Sequence, residues 1–150
     1  MIHDLEEVFW TQLWIEKNRF LFEDTQFERV IEAMGYQPAK FGLVVAMITI
    51  LYGVISYFAT RQIQAGLSMN LYVSTLLILF VNVFTHAGQT VLLGMYTPGV
   101  VTAVLVVLPY TVIAFRTLKA HHLLTRTTWK TSPFMSVGML AVIFGLMMAV

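Results

Sequence analysis

Cysteine is absent from this chain, which removes disulfides, iron–sulfur clusters and thiolate zinc sites from consideration. Negative charge is almost as scarce: all eight Asp and Glu fall between Asp4 and Glu32. Between Arg61 and Arg116 there is no Lys, Arg, Asp or Glu. A soluble domain of this length would not bury so long an uncharged tract and leave so little polar surface. The net charge of +1 comes without a dense basic stripe, so nucleic acid is excluded as a partner. No phosphate-binding glycine loop and no Ser-His-Asp order occurs. The first fifteen residues lack the basic start and apolar core of a cleavable signal peptide, so targeting is expected to come from internal hydrophobic segments.

What is present is apolar: 58% of the 150 residues are hydrophobic and 11% are charged. A helix crossing the hydrocarbon needs about twenty mainly apolar residues, with roughly seventeen as the lower limit. Four stretches meet that limit, at residues 41–59, 71–93, 99–118 and 134–150. Backbone groups in lipid must be satisfied within each segment, so all four read as helices. The expected fold is all-α, a polytopic membrane bundle of four transmembrane helices over residues 41–150. An N-terminal amphipathic helical region over residues 1–40 completes a single domain.

Within that region Leu5, Phe9, Leu13 and Phe20 recur at helical spacing, and His3, Glu7, Trp10, Trp14 and Lys17 occupy a neighbouring face. This predicts an amphipathic helix near the membrane surface, with Trp10 and Trp14 at the interface. Thr25, Glu28 and Gly35 have the spacing of a second short helix ending near Met34. The loops after the first and third spans carry Arg61 and Arg116, Lys119, Arg126 and Lys130, and the "GMYTP" loop carries no charge. The positive-inside tendency puts the basic loops in the cytoplasm and both termini outside, against which Lys17, Arg19, Arg29 and Lys40 count.

Few side chains in this setting carry chemistry. His86 is the one ionisable group of those types in the long uncharged tract, with Asn82, Gln89 and Thr90 on its helical face. It stands about 22 Å along the axis from Leu71, in the outer half of its span. Such a group faces a protein interior or a wet cavity. It serves either as a neutral imidazole bonding between helices or as a functional group. In "HDLEE", His3, Glu6 and Glu7 converge on one side of a helix. An imidazole with two carboxylates suits zinc, iron or manganese, or else the carboxylates simply complement a helix dipole. The predicted topology puts His86 on the same side, where it can supply a further ligand. In "MYTPGVVT", Tyr96 is an interfacial anchor, Pro98 and Gly99 make a compact helix entry, and Thr102 lies one turn in. Pro109 should kink the third span. His121 and His122 are adjacent, do not share a helical face and make a poor chelate.

The motifs "HDLEE", "NVFTHAGQT", "YTPGVVT" and "LP", in that order, resemble the HXXEE family of small prokaryotic integral membrane proteins. The match rests on His3, Glu6, Glu7, Asn82, His86, Tyr96, Pro98, Gly99, Thr102 and Pro109. It covers most of residues 1–118, and the order and spacing are more specific than any one motif. Family members often have a hydrophobic stretch around the motif, whereas this chain begins two residues ahead of it, so its first helix is expected to be shallower. The family has no settled biochemical function, so the resemblance supports a site more than an activity.

Three readings follow. The first is a membrane-embedded metal-dependent hydrolase or oxidase acting on a lipid or other apolar molecule. His3, Glu7 and His86 would be ligands, Glu6 a further ligand or the catalytic base, and Asn82, Gln89, Tyr96 and Thr102 the surrounding pocket. The second is metal or small-ligand binding for sensing or transport, in which a homo-oligomer would form any pathway. The third is a structural cluster that ties a surface helix to the bundle. In each, the protein is a multi-pass cell-membrane protein with the site toward the outer side.

Overall fold

A computed structural model describes residues 2–21 and 38–149. Among these the chain is all-helical, with five helices: α1 (Ile2–Lys17), α2 (Pro38–Arg61), α3 (Leu67–Leu93), α4 (Val100–Ala120) and α5 (Arg126–Ala149). A short 3₁₀ turn, Arg19–Leu21, follows α1. The expected helix around Thr25–Met34 falls outside the described residues.

Among the described residues three helices, α2, α3 and α4, are long and apolar enough to cross a membrane. The fourth expected span, residues 134–150, coincides with the later part of α5, which follows Arg126, Lys130 and an internal Pro133 and runs to the end of the described residues. The outward faces of α2–α4 are apolar, with Ile50, Phe58, Val91, Leu105 and Ile113 all strongly exposed. Such continuous apolar surface fits a protein surrounded by lipid.

The central helix is α3, which contacts α2, α4 and α5. Its partnership with α5 depends on small side chains. Ser74, Ser132 and Ser136 are buried, and each hydroxyl bonds a carbonyl across the seam: Ser74 Oγ to Ser132 O at 3.1 Å, Ser136 Oγ to Ser74 O at 3.1 Å, and Ser132 Oγ to Asn70 O at 3.2 Å. Small residues let backbones approach closely where no water drives association. Ala59, Met69, Val73, Leu76 and Leu118 pack one end of the bundle. Val83, Ala103 and Val107 pack the other, below the site.

The third span answers Pro109 in its own way. Residues Ala103–Val107 form a π-turn, in which the Leu108 N–H reaches back to the Ala103 carbonyl. Proline lacks an N–H and its ring crowds the carbonyl four residues earlier; one wider turn relieves that crowding without breaking the helix.

The placement of α1 is set by its contacts with α2 and with the turn before α4. The Thr49 hydroxyl donates to Asp4 Oδ2 at 2.9 Å, and a Cβ on Gly42 would sit 3.9 Å from Val8 Cγ1. Thus α1 runs antiparallel to the first half of α2, its N-terminal end beside the middle of that helix. At the other end of α1, Trp14 Nε1 donates to the Tyr96 carbonyl at 2.6 Å. Its apolar residues Ile2, Leu5, Phe9 and Leu13 point outward, and His3 is buried inward. The periodic face expected from the sequence is present, but it is the polar side that meets the bundle.

Candidate metal centre

Three elements build the site. The first turn of α1 supplies His3, Glu6 and Glu7. The second half of α3 supplies Asn82 and His86, one turn apart. The turn from Gly94 to Gly99 and the start of α4 supply Tyr96, Gly99 and Thr102. Gly94 closes α3 in the left-handed region at φ 64°, and Gly99 opens α4 at φ 88°, so the chain reverses in a few residues. This brings Thr102 back over His3.

His3, Glu7 and His86 come together as a cluster whose ligating atoms lie within 4.8 Å of one another. Glu7 Oε1 is 3.0 Å from His86 Nε2 and 3.6 Å from His3 Nε2. The two rings meet edge to face, with centroids 5.0 Å apart and planes at 88°. Both histidines are buried, whereas the Glu7 side chain keeps about a fifth of its surface exposed.

A relay of hydrogen bonds sets the His3 ring. The Thr102 hydroxyl donates to Glu6 Oε2 at 2.5 Å. Having a single proton, that hydroxyl must accept from His3 Nδ1, which lies 2.9 Å away. His3 is therefore the Nδ1–H tautomer and its Nε2 lone pair faces the cluster. Asn82 Nδ2 donates to this same Nε2 at 3.0 Å. Burial pushes His3 below the ordinary imidazole range, and it outweighs the upward pull of the Glu7 carboxylate. A neutral imidazole is the form that ligates a metal.

Glu6 has a different task from its neighbour. It accepts from the Thr102 backbone N–H at 2.9 Å, the Thr102 hydroxyl, and the Tyr96 hydroxyl at 2.6 Å. Burial pushes the Glu6 carboxyl up, but these hydrogen bonds prevail and hold it below its usual range. Tyr96 is pushed up to about 12, by burial and then by its bond to Glu6. A carboxylate bound by three donors is a poor base. Glu6, expected as a ligand or base, stands outside the His3–Glu7–His86 group and is linked to His3 through the Thr102 hydroxyl.

Of the other expected pocket residues, Asn82, Tyr96 and Thr102 touch the site directly, and Gln89 lies on an exposed face of α3. Thr90 instead pairs with Thr97 at 2.6 Å, bracing the turn. Two features escaped the sequence reading. Asp4 bonds Thr49, a partner its position in "HDLEE" could not reveal. Gly99, treated there as part of a compact turn, lies against both imidazoles; its place in "TPG" was the only signal.

No curated protein and no solved structure matches the chain. A family model does match, over residues 1–114, described as a protein of unknown function with HXXEE motif. The motif is His3-Asp4-Leu5-Glu6-Glu7, and most of the remaining site residues fall inside the matched region. The chain belongs to this HXXEE family.

Proposed function

We propose that His3, Glu7 and His86 bind one divalent metal, zinc, iron or manganese, and that the centre serves a metal-dependent hydrolysis or oxidation of a lipid or other apolar molecule. The observation that carries the reading is the spacing of the donors. Nitrogen and oxygen ligands at about 2.0–2.2 Å from one tetrahedral ion stand roughly 3.3–3.6 Å apart. The separations of 3.0 and 3.6 Å around Glu7 Oε1 bracket that value. A preset His3 tautomer supports the same reading, since ligating histidines are held by a hydrogen bond on their other nitrogen.

A divalent metal held by these three residues would supply Lewis-acid chemistry, either by lowering the pKa of a water or by polarising a substrate oxygen. The residues around it divide the work. His3 and His86 offer ring nitrogens, Glu7 a carboxylate oxygen, and Glu6 with Thr102 holds His3 in place. The Asn82 amide, which bonds His3 Nε2 at 3.0 Å, would have to release that nitrogen for it to hold a metal. The apolar substrate is proposed from the lipid-compatible setting of the helices and from two shallow hollows that flank Glu6, lined by Leu5, Phe9 and Trp10 in one and by Trp10, Tyr96 and Val101 in the other.

A second reading has its own support. The His86–Glu7 contact at 3.0 Å and the Asn82–His3 bond at 3.0 Å also form a closed polar network that ties α1 to the bundle without any ion. Metal analysis separates the two. Protein purified in detergent should contain near-stoichiometric metal, lost in His3→Ala, His86→Ala and Glu7→Gln. Equal trace metal in all four would leave only the structural network.

A further inference from the structure

We infer that Gly99 is a positioning residue for the His3–Glu7–His86 centre, a role that rests on the metal reading above. The starting point is an unsatisfied atom. His86 is buried, with 8% of its surface exposed, and its Nδ1 has no hydrogen-bond partner among the described residues. Metal-binding histidines are normally oriented by a hydrogen bond from the nitrogen that does not ligate. His3 has such a bond through Thr102; His86 has none, so something else must fix its ring.

Gly99 is what lies there. A Cβ at this position would come within 2.6 Å of His86 Cε1, 3.0 Å of His86 Nδ1 and 3.1 Å of His3 Cε1. The bare Cα lets the turn close directly on both rings, and its backbone acts as a wall against which His86 rests. On its other side His86 meets the edge of His3, centroid to centroid at 5.0 Å. Held between wall and neighbour, the ring keeps Nε2 3.0 Å from Glu7 Oε1. A methyl group at Gly99 cannot be accommodated unless the His86 ring moves, and that motion carries Nε2 away from Glu7. The wall is steric and needs no acceptor, which accounts for the orphaned Nδ1.

Gly94 provides an internal comparison. It too is left-handed, at φ 64°, but nothing lies within 4 Å of its would-be Cβ. Gly94→Ala and Gly99→Ala both incur left-handed backbone strain, and only the second meets the imidazoles.

The full chain in detergent tests this with two readouts. On metal-free protein, diethylpyrocarbonate modification is followed by mass spectrometry, with exposed His121 and His122 as internal references. Gly99→Ala should raise the His86 rate severalfold, and Gly94→Ala should leave it at the wild-type value. Zinc titration of the same samples should show binding weakened by about 10- to 100-fold in Gly99→Ala, the range for loss of a ligand's outer support, with Gly94→Ala near wild type. A His86 rate that is equal in all three proteins overturns the inference. If the wild type binds no zinc while His86 still reacts faster only in Gly99→Ala, the positioning of the ring stands and the metal reading falls. Should Gly99→Ala fail to fold, the Gly99→Ala/His86→Ala double variant decides: recovered folding supports a clash with the ring, and continued failure overturns it.

Discussion

Thr102 joins Glu6 to His3 with one hydroxyl, donating to the carboxylate at 2.5 Å and accepting from the imidazole Nδ1 at 2.9 Å. Replacing it by valine keeps the shape and removes the link. Thr102→Val leaves a mostly buried His3 N–H without an acceptor, which costs about 1–3 kcal/mol. Unfolding in detergent should show that loss, and zinc affinity should fall by roughly 10- to 100-fold. Thr102→Ser, which keeps the hydroxyl, should restore both. Unchanged metal binding in Thr102→Val would remove the relay from the argument.

Glu6 and Glu7 are adjacent, and their substitutions should diverge. Glu6→Gln weakens charge-assisted hydrogen bonds to Thr102 and Tyr96 and should lower stability by about 1–2 kcal/mol, discounted for partial exposure, while metal stays bound. Glu7→Gln should release the metal. Metal analysis of the two purified variants checks this, and the reverse pattern would exchange the roles assigned here.

A bound metal should be visible as stability. A ligand that binds only the folded state, at a hundred times its dissociation constant, adds about 2.7 kcal/mol. Stripping the protein with a chelator should therefore lower the melting temperature, and readding zinc should restore it. His86→Ala should melt at the same temperature with and without chelator. A wild-type melting temperature indifferent to the chelator would argue for the ion-free network.

The Asp4–Thr49 bond at 2.9 Å lies eleven residues into α2, which begins at Pro38, or about 16 Å along its axis. If α2 spans the bilayer, the front of α1 is expected at hydrocarbon depth with Phe9 toward acyl chains. A spin label at Phe9→Cys in vesicles should be relaxed more by oxygen than by a polar nickel chelate, and a label at Lys17→Cys should show the opposite. Equal preference for the nickel reagent at both would put α1 on the surface.

Membrane sidedness makes a separate prediction. An impermeant maleimide added outside intact cells should label Met95→Cys in the α3–α4 turn and spare Thr127→Cys at the start of α5. The opposite result would place the centre toward the cytoplasm.

Much of this architecture was legible in the sequence because the relevant signals are local or compositional. The spans at 71–93 and 99–118 correspond closely to α3 and α4, since an uncharged apolar run has few alternatives in lipid. The meeting of His3, Glu7 and His86 followed from one helical turn and one isolated histidine. Glu6 was not separable from Glu7 on those grounds. Adjacent residues on a helix point about 100° apart, and which one faces the histidines depends on where α4 stands. The same dependence hid Gly99, whose meaning is a distance to two rings. Gln89 shared a helical face with His86 in projection, but among the described residues it is exposed. The expected span at 134–150 coincides with the later part of α5, and the three serines of the α3–α5 seam mark contact between helices and do not report a crossing.

The π-turn at Ala103–Val107 has a consequence for how this chain can tolerate length changes. It lodges one surplus residue between Thr102 above and Thr111 below. Excising a single amino acid there, such as Val106, would let the coil wind regularly and leave Thr102 facing Glu6 and His3, because the wider turn absorbs its extra residue without turning the segments on either side. The same excision from regular helix would rotate the two sides of the cut by about 100° relative to each other. The bulge is therefore the one place in the third span where a residue can be lost without pulling the centre apart.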